Sequence, residues 1–574
     1  MDEAGVRGLS AWNAAIGSPE SAKAALRPQS AFLRAGVDCH ASKPPARAAP
    51  AQAGGKRSAE ARAMRSMPHD IKLSGAARLL RRRHGTVCLV QLSLRSLLYR
   101  ERLPIALLLV GALLRAILLL PPSLWSDEAL TLVVSRSGDL LDLLRRLESS
   151  PPLYFLLMRV WVPLFSDPLV AIRLFSFLCG TASLWVFYRF CRRALPEAAE
   201  TALFIACLSS YWIHMAQDGR FYSLYLLIAL GQTALAYRLI EGESRSLWAG
   251  YIVLGALGLY THYYFLFLVL AQAGLITLVR ASQRRSPLPP LAACAAIAIL
   301  YAPWLPSLIA QARAWEGATL VVERFDAARI GLIFGHMVAD LSYVALVGGV
   351  WVSWLGGLVL GLLAFGAALY LRGGRGAGGV GARLAEGEAF CLMNIVLGLA
   401  AFPVVSLFVT IPLIQPRYFV FLSPCVYLFM GWICTRPTRW AGRLRISLEI
   451  LMAAGLLGYY ASRHIVDLRL PALARAIRAQ AGDRRPIVHV HPYYFLPLRY
   501  YYLPERTHLL VPAHPKDLHD GRALPGARAL ITRRELLSIG PCWVIDPERR
   551  FGARSLAVST GAELSARLEG GPWY

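Results

Sequence analysis

Between Leu103 and about Ser462 the chain is a succession of apolar runs, most of them long enough to cross about 30 Å of hydrocarbon as a helix. They fall at 103–120, 170–190, 197–214, 220–240, 247–261, 263–280, 288–307, 349–371, 388–411, 417–435 and 446–461, roughly eleven spans. The fold class that follows is a polytopic α-helical membrane protein. Composition agrees: of 574 residues 56% are hydrophobic and 17% charged, with a mean hydropathy of +0.46. Soluble domains carry about 25% charged residues, so a water-soluble multidomain enzyme is excluded. No C-x-x-C occurs, which leaves zinc-ribbon and thioredoxin-type readings without support.

The flanks differ from this body. Residues 1–100 are rich in Ala, Arg, Ser and Pro without periodicity and read as a basic, mostly disordered cytosolic tail, with Met64 and Met67 as alternative starts. The membrane body is 101–462. Residues 463–574 turn polar and basic, with short β-rich pieces at Pro486–Val490 and Ala529–Thr532, and predict a small extracytoplasmic α/β domain.

Charge orients the helices. The chain holds 61 Lys and Arg against 35 Asp and Glu, a net +26. Two segments decide the topology, Pro151–Phe165, short with Arg159 inside it, and Ala327–Gly348, with His336 and Asp340 mid-run. If neither crosses, the basic segments Arg78–Arg102, Arg189–Arg193, Arg238–Arg245, Arg280–Arg285, Arg372–Arg383 and Arg436–Arg445 share one face, which the positive-inside rule makes cytoplasmic. Counting either alone scatters them. Both are therefore interfacial helices on the outer face, and Trp125, Trp161, Trp304, Trp315 and Trp351 lie near that boundary. The expected location is the plasma (inner) membrane, multi-pass, N-terminus cytoplasmic. A nucleic-acid partner is disfavoured because the basic residues are dispersed among loops.

This topology gathers the polar residues that hydrocarbon should not hold at one boundary. Asp127, Glu128, Arg173, Asp218, Arg220, His262 and Arg417 all fall at outer ends of spans or in outer loops, where charges are functional candidates. Trp125-Ser126-Asp127-Glu128 is compatible with an ordinary helix start, Ser as cap and two acids on the dipole. It is equally compatible with a carboxylate general base, or with a divalent cation, the cofactor that hard oxygens of Asp127 and Glu128 would admit. Asp218 and Arg220 could pair across Gly219. Alternatively Arg220 and Arg417 grip a lipid phosphate, for which a guanidinium at a membrane surface is suited. Thr261-His262-Tyr263-Tyr264 and Tyr222 and Tyr418 supply further substrate contacts, although a histidine among aromatics is more often structural. His489 and His491 share a strand face without a third ligand nearby.

At these residues the sequence resembles the bacterial family 39 glycosyltransferases of the GT-C superfold, which include protein O-mannosyltransferases and the lipid A aminoarabinose transferase. The stretches that carry the resemblance are Trp125–Glu128, Ser150-Pro151-Pro152-Leu153-Tyr154, Ala171–Leu174, Gln217–Tyr222, Ala302–Pro306 and Gln415–Tyr418, in that order over about residues 100–430. The resemblance implies a polyprenyl-phosphate sugar donor, transfer to an acceptor glycan, lipid or protein on the outer face, and inversion at the anomeric carbon. It implies catalytic roles for Asp127 and Glu128 and phosphate contacts for Arg220 and Arg417. Where the lipid A enzyme has Glu-Lys before Pro-Pro, this chain has Ser149-Ser150, so a lysine contact to the phosphate is missing. A transporter or flippase, the main alternative, predicts midplane charges and inverted repeats, and neither is visible. A membrane-anchored binding protein is a second alternative, to be separated by truncation after Ser462.

Overall fold

The computed structural model describes residues 102–120, 123–136, 138–147, 150–316, 327–340, 348–373, 383–406, 415–466, 469–479, 485–489, 492–510, 541–545 and 556–559. The N-terminal tail, Ala529–Thr532 and His491 lie outside them.

Among the described residues, seven of the expected runs are helices long and apolar enough to cross a membrane: Pro168–Ala194, Tyr222–Glu241, Phe265–Ser282, Leu288–Gln311, Trp351–Arg372, Pro416–Cys434 and Arg439–Arg463. Together they make a polytopic membrane protein. Of the other runs, 103–120 and 247–261 form the fifteen-residue helices Arg102–Ala116 and Arg245–Leu259, and 388–411 forms Gly387–Ser406. The run at 197–214 is broken into Ala199–Leu208 and Ser210–Gln217. At the break Ser209 leaves the helical region (φ −60, ψ 106) and its hydroxyl accepts the Trp212 N–H, the bond an N-cap makes. One carbonyl left orphaned upstream, that of Ala206, takes a hydrogen bond from the buried Arg115 guanidinium at 3.2 Å. The two doubtful segments give helices Leu153–Trp161 and Ala327–Val338, of nine and twelve residues, both too short to cross.

The helix ends sort into two sets. At one end Arg193 pairs with Glu241, Arg280 with Glu243, and Gly387 abuts Ala194. At the other, Gln217 donates to the carbonyls of Arg115 and Ile117, Tyr211 donates to Pro416 O, and Leu153 N–H donates to Tyr260 O. Arg193 and Arg280 thus lie at the end opposite the polar residues singled out above.

Beyond Val466, a small β-containing domain packs helix Arg469–Arg478 on a sheet that has four strands among the described residues. Strand β1 (Ile487–His489) pairs in parallel with β2 (His508–Leu510) and β3 (Cys542–Ile545), and β4 (Leu556–Ser559) runs antiparallel to β3. Its core includes Leu470, Ile477, Ile487, Leu498 and Trp543. His489 bonds His508 there at 2.9 Å, and burial first, then the neighbouring His508, pushes it well below the usual imidazole range.

The hairpin of Ala327–Val338 on Gly348–Gly373 depends on small residues. A Cβ on Gly335 would lie 1.9 Å from Val352 O and one on Gly331 2.8 Å from Ser353 O, so the backbones touch where side chains would hold them apart. Gly335→Val is expected to lower the thermal unfolding midpoint in detergent by an overpacking cost of about 1–3 kcal/mol, whereas Gly357→Ala, facing open space, leaves it unchanged.

Candidate active site

Helix Ser126–Ser135 opens with a capping interaction in which Glu128 reaches back to the Trp125 N–H at 3.5 Å. Its first turn places Asp127 and Glu128 side by side, but their carboxylates face different partners. Glu128 is buried and makes a two-point bond with Arg173, Nε to Oε1 and Nη2 to Oε2, both 2.8 Å. Gly219 N–H donates to the same Oε1 at 2.8 Å. Burial alone would raise this carboxyl; the Arg173 charge and these hydrogen bonds outweigh it and hold it below the usual carboxylate range. Arg173 also donates to the carbonyls of Leu119, Leu120 and Ser123. Both residues, placed by the sequence among catalytic and substrate-binding candidates, are thus turned into protein and hold the loop before Asp127.

Asp127 is the more open acid, its side chain 28% exposed against 1% for Glu128. Its Oδ2 lies 3.9 Å from Arg220 Nε and 3.9 Å from Arg417 Nη1. Arg220 is fixed by bonds from Nη1 to the Asp127 carbonyl (3.2 Å) and the Thr131 hydroxyl (3.3 Å). Arg417 sits over the rings of Trp125, Tyr222 and Tyr418 at 5.3–5.8 Å. The Nε atoms of both arginines are buried without a hydrogen-bond partner. Two guanidiniums with unspent donors beside one carboxylate form a cradle for an anion.

The turn 218–221 is held in place by Gly219, where a Cβ would meet Ile172 Cδ1 at 2.5 Å and Glu128 Oε1 at 3.0 Å. Asp218 accepts the Trp125 indole N–H at 3.0 Å, so it does not simply pair with Arg220 across Gly219. Burial first, then the Glu128 charge, lifts its carboxyl to about 6.

His262 stacks on Tyr225 at 4.9 Å and packs against Tyr222, Tyr264 and Tyr418. Its Nδ1 accepts the Tyr264 N–H at 3.1 Å, and burial with the Arg417 and Arg220 charges pushes it down to about 3. It is therefore a neutral imidazole with its proton on Nε2. Tyr222 and Tyr418 stand in the same group, their rings 6.5 Å apart. Tyr263 does not join them: its hydroxyl donates to Gln311 and accepts from Trp304, tying the 260–264 turn to helix Leu305–Glu316.

Glu128 is occupied by Arg173 and Gly219, Asp127 is flanked by two cations, and among the described residues no three His, Cys, Asp or Glu are grouped as metal ligands.

Sequence reasoning missed two neighbouring features. Arg463, just past the last expected span, donates to Tyr459, whose hydroxyl bonds Gln217. Asp340 receives Nδ1 of both His214 (2.7 Å) and His336 (3.1 Å), which hold its carboxyl well below its usual range against the effect of burial. The i, i+4 spacing of His336 and Asp340 was a legible signal; the third member, from another helix, was not.

Residues 149–306 match the family model described as dolichyl-phosphate-mannose-protein mannosyltransferase, which is less than half of the chain. Among the solved structures that share the fold are two of one protein. The crystal structure of ArnT from Cupriavidus metallidurans bound to undecaprenyl phosphate has 14% identity and a TM-score of 0.50, covering 80% of this chain and 98% of that one. The same protein in the apo state gives 14% and 0.50, covering 82% and 99%. No curated protein matches the chain. At this identity the likeness is one of fold alone.

Two stability predictions separate these groups. Glu128→Gln leaves Arg173 buried without its counter-charge and is expected to cost about 3–5 kcal/mol, read as a lowered unfolding midpoint, while Asp127→Asn leaves the midpoint nearly unchanged. Asp218 has a folded pKa of about 6, above its ordinary 3.8. The folded state thus binds this proton more tightly, so its stabilising contribution is full below 3.8 and lost as pH rises through about 6. Asp218→Asn is expected to flatten that part of the midpoint-against-pH curve; an unchanged slope would place the titration elsewhere.

Proposed function

We propose that the chain is a membrane glycosyltransferase that moves a sugar from a polyprenyl-phosphate donor to an acceptor hydroxyl. The observation that carries the reading is the Asp127 carboxylate lying 3.9 Å from two arginines whose buried Nε atoms have no hydrogen-bond partner. The GT-C fold agrees with it, and so does the undecaprenyl phosphate named for the ArnT structure of that fold. The positive-inside rule puts the arginine-rich end in the cytoplasm and hence the Asp127 end outside the plasma membrane.

In the reaction, Asp127 takes the proton of the acceptor hydroxyl as its oxygen attacks the anomeric carbon. The bond from that carbon to the phosphate oxygen breaks on the opposite face, and its electron pair leaves with the polyprenyl phosphate. The leaving group is already a phosphate, so it needs cations more than a proton donor. Arg220 and Arg417 supply these and hold the donor in line. Donor phosphate entering between them also draws the guanidiniums off Asp127, leaving the carboxylate to the acceptor. A single attack by the acceptor oxygen from the face opposite the leaving group inverts the anomeric carbon, as attack by water does in inverting glycosidases. Glu128 and Arg173 act at one remove, by fixing where Asp127 points. Neutral His262 and the rings of Tyr222 and Tyr418 form a wall of the kind that packs against sugar and prenyl surfaces.

Asp127→Asn is expected to reduce sugar transfer from a polyprenyl-phosphate donor by about 10²–10⁴-fold with the protein still folded. Arg220→Lys and Arg417→Lys keep the charge but lose the guanidinium fork, and should raise the donor KM more than they lower kcat. Near-normal turnover by the Asp127→Asn protein would overturn the base assignment.

A further inference from the structure

The run Tyr500-Tyr501-Tyr502 of the C-terminal domain reaches back to the helical body at two points that flank the Asp127 loop. Tyr502 Oη accepts the backbone N–H of Leu124 at 2.9 Å, three residues before Asp127. Tyr501 Oη donates to the Asp167 carboxylate at 3.2 and 3.3 Å. Asp167 caps helix Pro168–Ala194, accepting from Leu169 and Val170, and that helix carries Arg173. Phe495 and Leu496, one turn earlier, are buried in the main apolar core rather than in the small core of the C-terminal domain.

The chain entering the acid-bearing helix is therefore held from both sides. Arg173 takes the carbonyls of Leu119, Leu120 and Ser123, and Tyr502 takes the N–H of the next residue, Leu124. The two tyrosines leave a five-residue π-helix, Leu498–Tyr502, whose wider turn is closed by Leu503 N–H on Leu498 O at 2.7 Å. Such turns recur at functional positions because they re-aim side chains that an α-helix would point elsewhere. Here adjacent residues reach different targets, with ring planes at 89° to each other. Arg478 anchors the run from the domain side, donating to the Tyr502 carbonyl and pairing with Glu505.

We infer that Tyr502, supported by Tyr501, is a positioning residue for Asp127, so that the C-terminal domain is part of the working site although none of its described residues contributes a group to the anion cradle. The inference rests on the transferase reading for its catalytic consequence but not for the contact itself. It also changes what truncation means: removal of everything after Ser462 takes away both tyrosines, so loss of activity in the truncated chain does not assign the chemistry to the C-terminal domain.

Tyr502→Phe and Tyr501→Phe, alone and together, remove the hydroxyls and keep the rings. In the full-length protein in detergent, hydrogen exchange of the 123–131 amides is expected to quicken in Tyr502→Phe while the rest of the body is unchanged. In transfer from a polyprenyl-phosphate sugar, kcat is expected to fall about three- to tenfold, the range one lost hydrogen bond commands, with the donor KM unmoved. Unchanged exchange at 123–131 overturns the contact whatever the activity. Faster exchange with unaltered kcat overturns the positioning role. A fall in kcat accompanied by a lowered unfolding midpoint and raised KM would show a general structural role and overturn it as well. Should the wild-type protein transfer no sugar, the transferase reading fails by itself, and the exchange result still decides the contact.

Discussion

The bond between Glu128 and Arg173 is the constraint on which the rest of the site depends. Both groups are buried, and an ion pair so placed is not an economical source of stability, because desolvation offsets much of the Coulomb attraction. What it supplies is position. Arg173 sits in the second turn of a long helix and reaches at once the carboxylate of Glu128 and the carbonyls of Leu119, Leu120 and Ser123. Glu128 in turn accepts from Gly219, which brings the 218–221 turn, and with it Arg220, against the helix that carries Asp127. Remove the pair, and three segments distant in sequence lose their common reference.

The break at Ser209 serves the same end. An unbroken helix from 199 to 217 would carry Asp218 and Arg220 along a single axis. The break lets Ser210–Gln217 take its own direction, and backbone groups at it find protein partners: the Trp212 N–H bonds the Ser209 hydroxyl, and Arg115 takes Ala206 O. Irregular backbone inside a membrane is tolerated only when its polar groups are satisfied by protein in this way.

How much of this was legible in the sequence follows from the kind of signal each feature leaves. Helices with apolar faces to lipid leave long runs, and basic loops mark one side, so the helical body and the gathering of Asp127, Arg220 and Arg417 could be read from hydropathy and charge alone. The division of labour between Asp127 and Glu128 could not. Two neighbouring acids in a first turn have the same composition and nearly the same position, and only the approach of Arg173 and Gly219 from other segments turns one inward. Tyr263 and His262 are separated by the same logic: one residue of chain rotates the side chain from the anion cradle to Gln311. The tyrosines at 501 and 502 left no trace, because an aromatic run in a polar domain reads as local packing and its partners lie more than 300 residues away.

These hidden contacts share a physical cause. In a soluble protein, burial of apolar surface selects among helix arrangements, since every misplacement exposes hydrocarbon to water. Within lipid that selection weakens, because an apolar face is as well accommodated by acyl chains as by another helix. The discriminating interactions are then few and polar, and they concentrate where helices end and backbone groups lack intrahelical partners. Arg173 on the carbonyls of Leu119, Leu120 and Ser123, Gln217 on Arg115 O, Gly219 on Glu128 and Tyr502 on Leu124 are all of this type. The chemistry and the folding specificity of this chain therefore draw on the same layer of residues, so a substitution made there to probe one is expected to disturb the other unless it keeps the hydrogen bonds to the backbone.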